Sequence, residues 1–266
     1  MYQFNYHKPA SVADAAALLA RNPDAKLLAG GQTLVAAMKL RLAAPPDLVD
    51  LGALAELRGI KADSGILSIA ALTRHAEVAT SKEVMQSIPA LAVLAAGIGD
   101  RMVRNMGTIG GSIANNDPAA DYPAGVLGLG ATVNTNKRKI AADQFFKGMY
   151  ETALEPGEII TSVSFPVPKR AGYAKFKNPA SRYAIVGVFV SEGGSAVRVA
   201  VTGAGPSAFR VPEMEKALAS KFSPDAVAGI KVSANGLNSD IHASSEYRAH
   251  LVTVMAKRAV QAALGK

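Results

Sequence analysis

The chain has 266 residues, 49% of them hydrophobic, which is enough for one or two domains with real cores and excludes a disordered protein. It carries 29 basic and 21 acidic side chains, a net charge of +8. It contains no cysteine, which excludes disulfides, thiolate catalysis and cysteine-held zinc or iron–sulfur clusters in this chain. No apolar run reaches the roughly 18 residues of a membrane span. Residues 1–5 lack a basic start followed by an apolar run, so we expect no signal peptide, and the absence of cysteine fits the cytoplasmic location that we expect.

The basic side chains gather in two places along the sequence. One cluster is residues 137–139, and the other comprises Lys169, Arg170, Lys175 and Lys177. No helix-turn-helix, RNA-binding aromatic signature or zinc finger accompanies them. Solvated loops, or a docking face for an acidic partner, are therefore favoured over contacts with nucleic-acid phosphates, and we expect no nucleic-acid partner.

The first half of the chain predicts a mixture of helices and strands. Ser11 with Asp14 predicts a helix start, and the apolar run of residues 15–19 continues that helix. Further along, the patterns predict strands at residues 25–29, 48–51 and 65–69, helices at 73–78 and 89–98, a hairpin of residues 131–134 with 138–140, and a strand at 158–163.

Residues 165–170 are the best candidate for a domain boundary, because two prolines and two basic residues interrupt the pattern there. Three strands are predicted beyond it, at residues 173–176, 184–190 and 196–202, with Gly193 and Gly194 forming a hairpin turn between the last two. The chain then becomes helical and ends in a long helix over residues 244–264. Strands followed by helices indicate an α+β domain.

Two segments each place a Gly-Gly pair beside a small hydroxyl residue after an apolar approach. They are residues 29–33, Ala-Gly-Gly-Gln-Thr, and residues 108–112, Thr-Ile-Gly-Gly-Ser. Glycine lets a ligand approach the main chain, and successive amides in a tight turn form a concavity that binds anions. Together the two segments predict a clasp for a pyrophosphate, as in a dinucleotide, although ordinary turns are the alternative for each.

The residues after the second segment are rich in donors and have little propensity for regular structure. Asn115, Asn116, Asp117 and Asp121 are placed to reach sugar hydroxyls, while Asp117 with Pro118 also suits an ordinary turn. A third glycine segment, residues 203–208, matches a Rossmann fingerprint after a strand. Pro206 interrupts it and the next helix is predicted only near Pro212, so the end of a strand is the better interpretation.

The remaining candidates for chemistry are few. The four histidines, His7, His75, His242 and His250, show no metal-ligand spacing, and isolated histidines are usually structural or lie at the surface. No nucleophile–base set is evident. We therefore assign no catalytic and no metal-binding side chain, and a bound cofactor would carry any redox chemistry.

The two Gly-Gly segments and their surroundings resemble the FAD-binding medium subunits of the molybdenum hydroxylases, among them carbon monoxide dehydrogenase and the xanthine dehydrogenase family. The first segment, followed by residues 38–42, resembles the first flavin motif of that family, and residues 108–112 through 117–123 resemble the second. The resemblance covers nearly the whole chain, continuing through Phe145, Gly148, 158–160, 173–175, 239–243, Tyr247 and Arg248.

This resemblance implies the fold class α+β. Residues 1–168 would form a two-subdomain FAD-binding domain of the vanillyl-alcohol-oxidase (PCMH) type. Residues 169–266 would form a carbon monoxide dehydrogenase flavoprotein-like C-terminal domain, an antiparallel sheet plus helices.

The resemblance also implies the cofactor site. The pyrophosphate of FAD would bind to the two Gly-Gly segments, Asp121 would lie near sugar or ribityl hydroxyls, and Tyr183 falls where some members place an aromatic beside the flavin ring. Thr33 stands where serine is commoner, and Ser181-Arg182 stands where Gly-Asp is frequent. The implied cofactor-binding residues are Leu28, Ala29, Gly30, Gly31, Gln32, Thr33, Leu34, Thr108, Ile109, Gly110, Gly111, Ser112, Asp121 and Tyr183.

The function implied is electron transfer within a molybdenum hydroxylase. Electrons would pass from a molybdopterin-binding large subunit through two 2Fe-2S clusters of a small subunit to FAD in this chain, and then to an external acceptor. A dimer of heterotrimers is the expected assembly. The alternatives are a stand-alone FAD oxidase or dehydrogenase of the same fold, and a basic nucleic-acid-binding or scaffold protein.

Overall fold

The computed structural model describes residues 1–194 and 196–265. Helices and strands are mixed along this part of the chain, and the strands form four sheets. Among the helices described, none is both long and apolar enough to cross a membrane. The predicted C-terminal domain includes residues 195 and 266, which lie outside the described residues.

A small parallel sheet comes first, in the strand order β1-β3-β2. Its core contains Ala15, Val49 and Leu51, which are almost completely buried. The first helix begins where the sequence predicts it, since the Ser11 side chain accepts a hydrogen bond from the Asp14 amide. The elements are β1 (Asn5–His7), α1 (Val12–Arg21), β2 (Lys26–Leu28), α2 (Leu34–Lys39), β3 (Asp47–Asp50) and a 3₁₀ turn (Ala55–Leu57).

A five-stranded antiparallel sheet follows, in the order β4-β5-β10-β6-β7, with helices packed against it. The predicted hairpin is confirmed, since Val133 of β6 pairs with Ile140 of β7. The strands are β4 (Ile60–Asp63), β5 (Ile66–Ala70), β6 (Thr132–Thr135), β7 (Lys139–Ala141) and β10 (Ile160–Pro166), and a separate pair is β8 (Phe146–Gly148) with β9 (Glu151–Thr152). The helices are α3 (His75–Thr80), α4 (Lys82–Ser87), α5 (Pro89–Ala96), α6 (Arg101–Met106), α7 (Ile109–Asn115), α8 (Tyr122–Gly128) and α9 (Ala142–Phe145).

The last sheet is antiparallel, in the order β11-β12-β13-β14, and the long helix α12 packs on it. This helix comes so close that a Cβ at Gly172 would lie 2.0 Å from the Ala259 carbonyl oxygen. The three strands and the final helix predicted for this half are confirmed. The elements are β11 (Arg170–Lys177), β12 (Ala184–Gly193), β13 (Ala196–Thr202), β14 (Phe209–Arg210), α10 (Pro212–Ser220), α11 (Pro224–Ala228) and α12 (Ser245–Ala263).

The five-stranded sheet and the four-stranded sheet are joined through α8, against which β12 and β13 of the four-stranded sheet pack. A Cβ at Gly128 of α8 would lie 2.9 Å from the Phe189 ring of β12, so glycine makes this approach possible. Phe189 is fully buried in the same hydrophobic cluster as Phe165 of β10. The segment at residues 203–208 follows the end of β13, and α10 begins only at Pro212, as expected for the end of a strand.

Candidate functional site

A cleft of about 690 Å³ lies beside the first Gly-Gly segment. Its wall includes every predicted cofactor-binding residue except Ile109, whose side chain is fully buried in the core. The predicted residues that line it are Leu28, Ala29, Gly30, Gly31, Gln32, Thr33, Leu34, Thr108, Gly110, Gly111, Ser112, Asp121 and Tyr183. The fold therefore brings together residues that are as much as 155 positions apart in the sequence, from Leu28 to Tyr183.

The first Gly-Gly segment is an open loop between β2 and α2. Gly31 has a φ of +71°, in the left-handed region that favours glycine. Within the described residues, the amides of residues 30–34 donate to no protein acceptor. Thr33 begins α2 without using its hydroxyl as a helix cap. These free amides and the hydroxyl form the kind of concavity that binds a phosphate.

The second Gly-Gly segment is not the predicted tight turn but the start of α7. Thr108 caps this helix, since its Oγ1 accepts from the Gly111 amide at 3.2 Å. The Ile109 amide donates to Thr73 O at 3.1 Å, and the Gly110 amide donates to Ala71 O at 2.9 Å. These amides are already satisfied, so this segment does not provide a second amide concavity.

The glycines of this second segment are explained by close packing, since neither has the positive φ that a tight turn would need. A Cβ at Gly110 would lie 2.6 Å from the Ala71 Cβ. Gly111 is exposed in the wall of the cleft, and a Cβ there would lie 2.9 Å from Thr108 Oγ1 and 3.7 Å from the Ala29 Cβ. The two segments therefore face one another, with glycine keeping the space between them open.

The polar residues that follow the second segment do not all line the cleft. Asn115 and Asp117 line the cleft. Asn116 is fully buried with a φ of +43°, and its Nδ2 donates to Gly148 O and Glu151 O, both at 2.8 Å. The expectation that Asn116 reaches a sugar hydroxyl is therefore wrong, because this side chain anchors the β8–β9 pair. Asp117 also forms the ordinary turn allowed by the sequence, accepting from the Ala119 amide at 2.9 Å.

Asp121 lies at the base of the cleft in a buried polar cluster. Its carboxylate pairs with the Lys175 ammonium at 2.9 Å, and the Tyr173 hydroxyl donates to it. Burial raises the pKa of Asp121, and the Lys175 charge opposes that shift. The sequence pattern places Lys175 on a solvated basic face, but its side chain is only 8% exposed. Since a buried ammonium needs a partner, Asp121 and Lys175 depend on one another.

Tyr183 reaches the cleft from the loop between β11 and β12, where it is about half exposed. Asn178 closes this loop, its Oδ1 accepting from the amides of Ala180 at 2.9 Å and Ser181 at 3.1 Å. Arg182 has a φ of +63°, a conformation that costs energy for any residue with a Cβ. Tyr150 also lines the cleft, so two exposed tyrosines border it.

His75 is a buried residue of the cleft, whereas the sequence indicates only an isolated histidine that is structural or lies at the surface. It is 5% exposed, and its Nδ1 has no hydrogen-bond partner among the described residues. Its ring lies 5.3 Å from the Tyr122 ring, centroid to centroid. Burial, and then the Arg104 charge, lower the pKa of His75 to about 4, so its imidazole is neutral at pH 7. A lone histidine after a strand carries no sequence signal that would reveal this position.

Comparison with known proteins places the chain in a family. Residues 2–168 match the family model described as the FAD binding domain in molybdopterin dehydrogenase, and residues 171–263 match the C-terminal domain of the CO dehydrogenase flavoprotein. The chain therefore belongs to the FAD-binding medium subunits of the molybdenum hydroxylases. It is an oxidoreductase subunit, and FAD is its cofactor.

Individual relatives resemble the chain over almost its full length. It is 36% identical to the nicotine 6-hydroxylase medium subunit of Paenarthrobacter nicotinovorans, over 96% of this chain and 95% of that one. It is 35% identical to the carbon monoxide dehydrogenase medium chain of Hydrogenophaga pseudoflava, over 98% and 97% of the two chains. Among solved structures, quinoline 2-oxidoreductase from Pseudomonas putida 86 matches with a TM-score of 0.89 and 32% identity, covering 99% of this chain and 98% of that one.

Proposed function

We propose that this chain is the medium subunit of a heterotrimeric molybdenum hydroxylase. In this enzyme, electrons pass from a molybdopterin-binding large subunit through two 2Fe-2S clusters of a small subunit to FAD in this chain. From FAD they pass to an external acceptor. Support comes from relatives that are named as medium subunits or medium chains. The absence of cysteine agrees with clusters held elsewhere.

The observation that carries this proposal is the set of free amides at residues 30–34, in a cleft opposite the exposed Gly111. An anion in that loop would satisfy donors that otherwise lack acceptors, without displacing any protein hydrogen bond. The residues present therefore fit a cofactor with a pyrophosphate.

Within this proposal each part of the cleft has a distinct task. The first loop binds the pyrophosphate through its amides and the Thr33 hydroxyl. The second segment supplies a rigid wall and the Ser112 hydroxyl, and the Gly111 surface leaves room for the ligand. The Asp121 carboxylate accepts hydrogen bonds from sugar or ribityl hydroxyls through the lone pairs that its bonds to Tyr173 and Lys175 leave free. Tyr183 borders the flavin ring system. The bound FAD supplies the redox chemistry, and the chain's own side chains bind and orient it.

The finer architecture is part of the same proposal. We propose a PCMH-type FAD-binding domain over residues 1–168 and a C-terminal domain over residues 169–266, which is supported by the ranges of the two family matches. A dimer of heterotrimers and a cytoplasmic location remain predictions. The substrate would be chosen by the large subunit, so this chain does not specify it.

The test is co-expression of this chain with a large molybdopterin-binding subunit and a small iron–sulfur subunit from the same gene cluster. The three should elute together from a size-exclusion column, with one FAD per medium chain that is released by denaturation. Stable interfaces of this kind bury on the order of 1,200 Å² or more, so the complex should survive chromatography.

Two results would contradict the proposal. One is release of FMN rather than FAD, or flavin that stays with the precipitated protein. The other is persistent elution as a free chain with full substrate-dependent activity and no molybdenum or iron, which would favour the stand-alone flavoenzyme.

A further inference from the structure

Lys175 forms an unusual buried junction between the two halves of the chain. Its Nζ donates to Gly97 O at 2.8 Å, to Arg182 O at 3.1 Å and to the Asp121 carboxylate. An ammonium has three N–H donors, and here each has an acceptor from a different segment. Gly97 ends α5 and Asp121 precedes α8, while Lys175 and Arg182 belong to the second half.

The acceptor at Arg182 links this junction to the cleft. Arg182 is held in the left-handed backbone conformation, and its carbonyl belongs to the peptide that joins it to Tyr183. Without an external restraint on that carbonyl, the strained residue can relax toward a commoner conformation and rotate the peptide. The Lys175 ammonium restrains this peptide from outside the loop, whereas the other hydrogen bonds of Arg182 and Tyr183 run to Asn178 and Ser181 within the loop.

We infer that Lys175 is a positioning residue: it fixes the loop of residues 178–183 and thereby holds the Tyr183 ring at the cleft, beside the flavin. The inference rests on the proposed function in so far as the flavin lies next to Tyr183. Asp121 is the counter-ion that makes burial of the ammonium possible. Tyr173 supports Asp121 by donating to the same carboxylate.

The first measurement uses the fluorescence of bound FAD in the co-expressed complex, expressed per FAD. A tyrosine in contact with a flavin ring quenches its fluorescence by electron transfer in the excited state. Tyr183→Leu should therefore raise the fluorescence, and Lys175→Met should raise it as well. In the double variant Tyr183→Leu/Lys175→Met, the fluorescence should match that of Tyr183→Leu alone, because Lys175 acts through Tyr183.

The matched control is Lys177→Met, on the same strand but with an exposed side chain. It should leave the fluorescence at the wild-type value. A Lys175→Met complex with full FAD and wild-type fluorescence would overturn the inference, as would a Tyr183→Leu complex with unchanged fluorescence. Additive increases in the double variant would also overturn it, because Lys175 would then act independently of Tyr183.

A second measurement does not depend on FAD. Amide hydrogen exchange of residues 178 and 180–183 in the free full-length chain should become faster in Lys175→Met, while exchange within α12 stays unchanged. The variant Lys175→Met/Asp121→Asn leaves no unpaired buried charge, and it should show the same loosening if the single variant folds poorly. Unchanged exchange in this loop would overturn the inference.

A wild-type complex without FAD would instead contradict the proposed function, and the exchange measurement would still decide the role of Lys175.

Discussion

The two Gly-Gly segments have nearly the same sequence pattern but use glycine in different ways. In the first, Gly31 adopts a positive φ and the amides of residues 30–34 stay free for a ligand. In the second, the glycines are helical, the amides of Ile109 and Gly110 are satisfied by the protein, and Gly110 lies against Ala71. One segment provides donors, and the other provides a wall. Substitutions in the two segments should therefore fail for different reasons.

The largest effect is expected for Gly110→Val. Gly110 is buried, and even its Cβ would overlap Ala71, so the two added methyl groups have no space. Overpacking typically costs about 1–3 kcal/mol, and we expect the upper end of that range here because the Cβ alone already overlaps Ala71. The free chain should therefore lose thermal stability before any flavin is added.

Gly229→Val is the matched control, since nothing lies within 4 Å of a Cβ at that position and its φ is not positive. Its melting temperature should stay close to that of the wild type. If Gly110→Val melts normally in the free chain, the second segment is not a packed wall.

The next effect concerns pH and the buried His75, whose backbone amide donates to Gly107 O just before the second segment. Burial lowers the pKa of His75 from 6.5 to about 4, so the unfolded chain binds this proton more readily than the folded chain does. The contribution to stability is complete above pH 6.5 and is lost as the pH falls from 6.5 toward 4. A pKa difference of one corresponds to about 1.4 kcal/mol, so the loss approaches about 3 kcal/mol.

Urea unfolding of the free chain at pH 7, 5 and 4 measures this loss, with His75→Phe as the comparison because phenylalanine keeps a ring but does not titrate. The variant should lose less stability over that interval. Burial acts to raise the pKa of Glu158, but hydrogen bonds from Arg138 and other donors outweigh it and lower that pKa from 4.5 to about 2. Glu158 therefore contributes a further loss only below about pH 4.5. Parallel pH profiles for the wild type and the variant would contradict the assignment to His75.

A smaller effect is expected for Gly31→Ala in the first loop. A residue with a Cβ at this φ costs about 1–2 kcal/mol. The new Cβ would also lie 3.0 Å from Val35 Cγ2. Because the loop shapes the free amides, FAD affinity should fall while the fold survives, as measured by titration of the apo complex with FAD.

Gly65→Ala is the control for this substitution. Gly65 has a φ of +78° in the turn between β4 and β5, and nothing lies within 4 Å of a Cβ there. It should cost similar stability without weakening FAD binding. If FAD binding were weakened equally in both variants, backbone strain alone, rather than the position of the first loop, would explain the weaker binding.

The sequence predicts the elements better than it predicts how the two glycine segments are used. Ser11 as a helix cap, the β6–β7 hairpin and the strands of the second half follow from local patterns, and the structure confirms them. The helix at Ile109–Asn115 does not follow, because glycines and asparagines disfavour helix in isolation. Bonds from Ile109 to Thr73 and from Gly110 to Ala71 override that preference, and these partners lie more than 35 positions away in the sequence.

Lys175 shows that local sequence patterns are equally limited in predicting how a charged side chain is paired. It belongs to a run of basic residues that resembles a solvated face, and its strand neighbour Lys177 is indeed exposed. Only the fold shows that Asp121, 54 positions earlier, faces the Lys175 ammonium. A pattern within the strand cannot reveal a counter-ion from a distant part of the chain.

The smallest effect is expected from Thr33, which tests whether the first loop acts through its donors. Its hydroxyl caps no helix within the described part of the chain, so it is available to a ligand. Thr33→Val keeps the shape and removes the hydroxyl, and FAD affinity should weaken by about 0.5–1.5 kcal/mol, the usual net value of one hydrogen bond. Thr33→Ser keeps the hydroxyl and should bind FAD like the wild type. Because neither change removes an internal hydrogen bond, both free chains should melt at the wild-type temperature. Equal FAD affinity of the valine and serine variants would mean that the first loop binds through its amides alone.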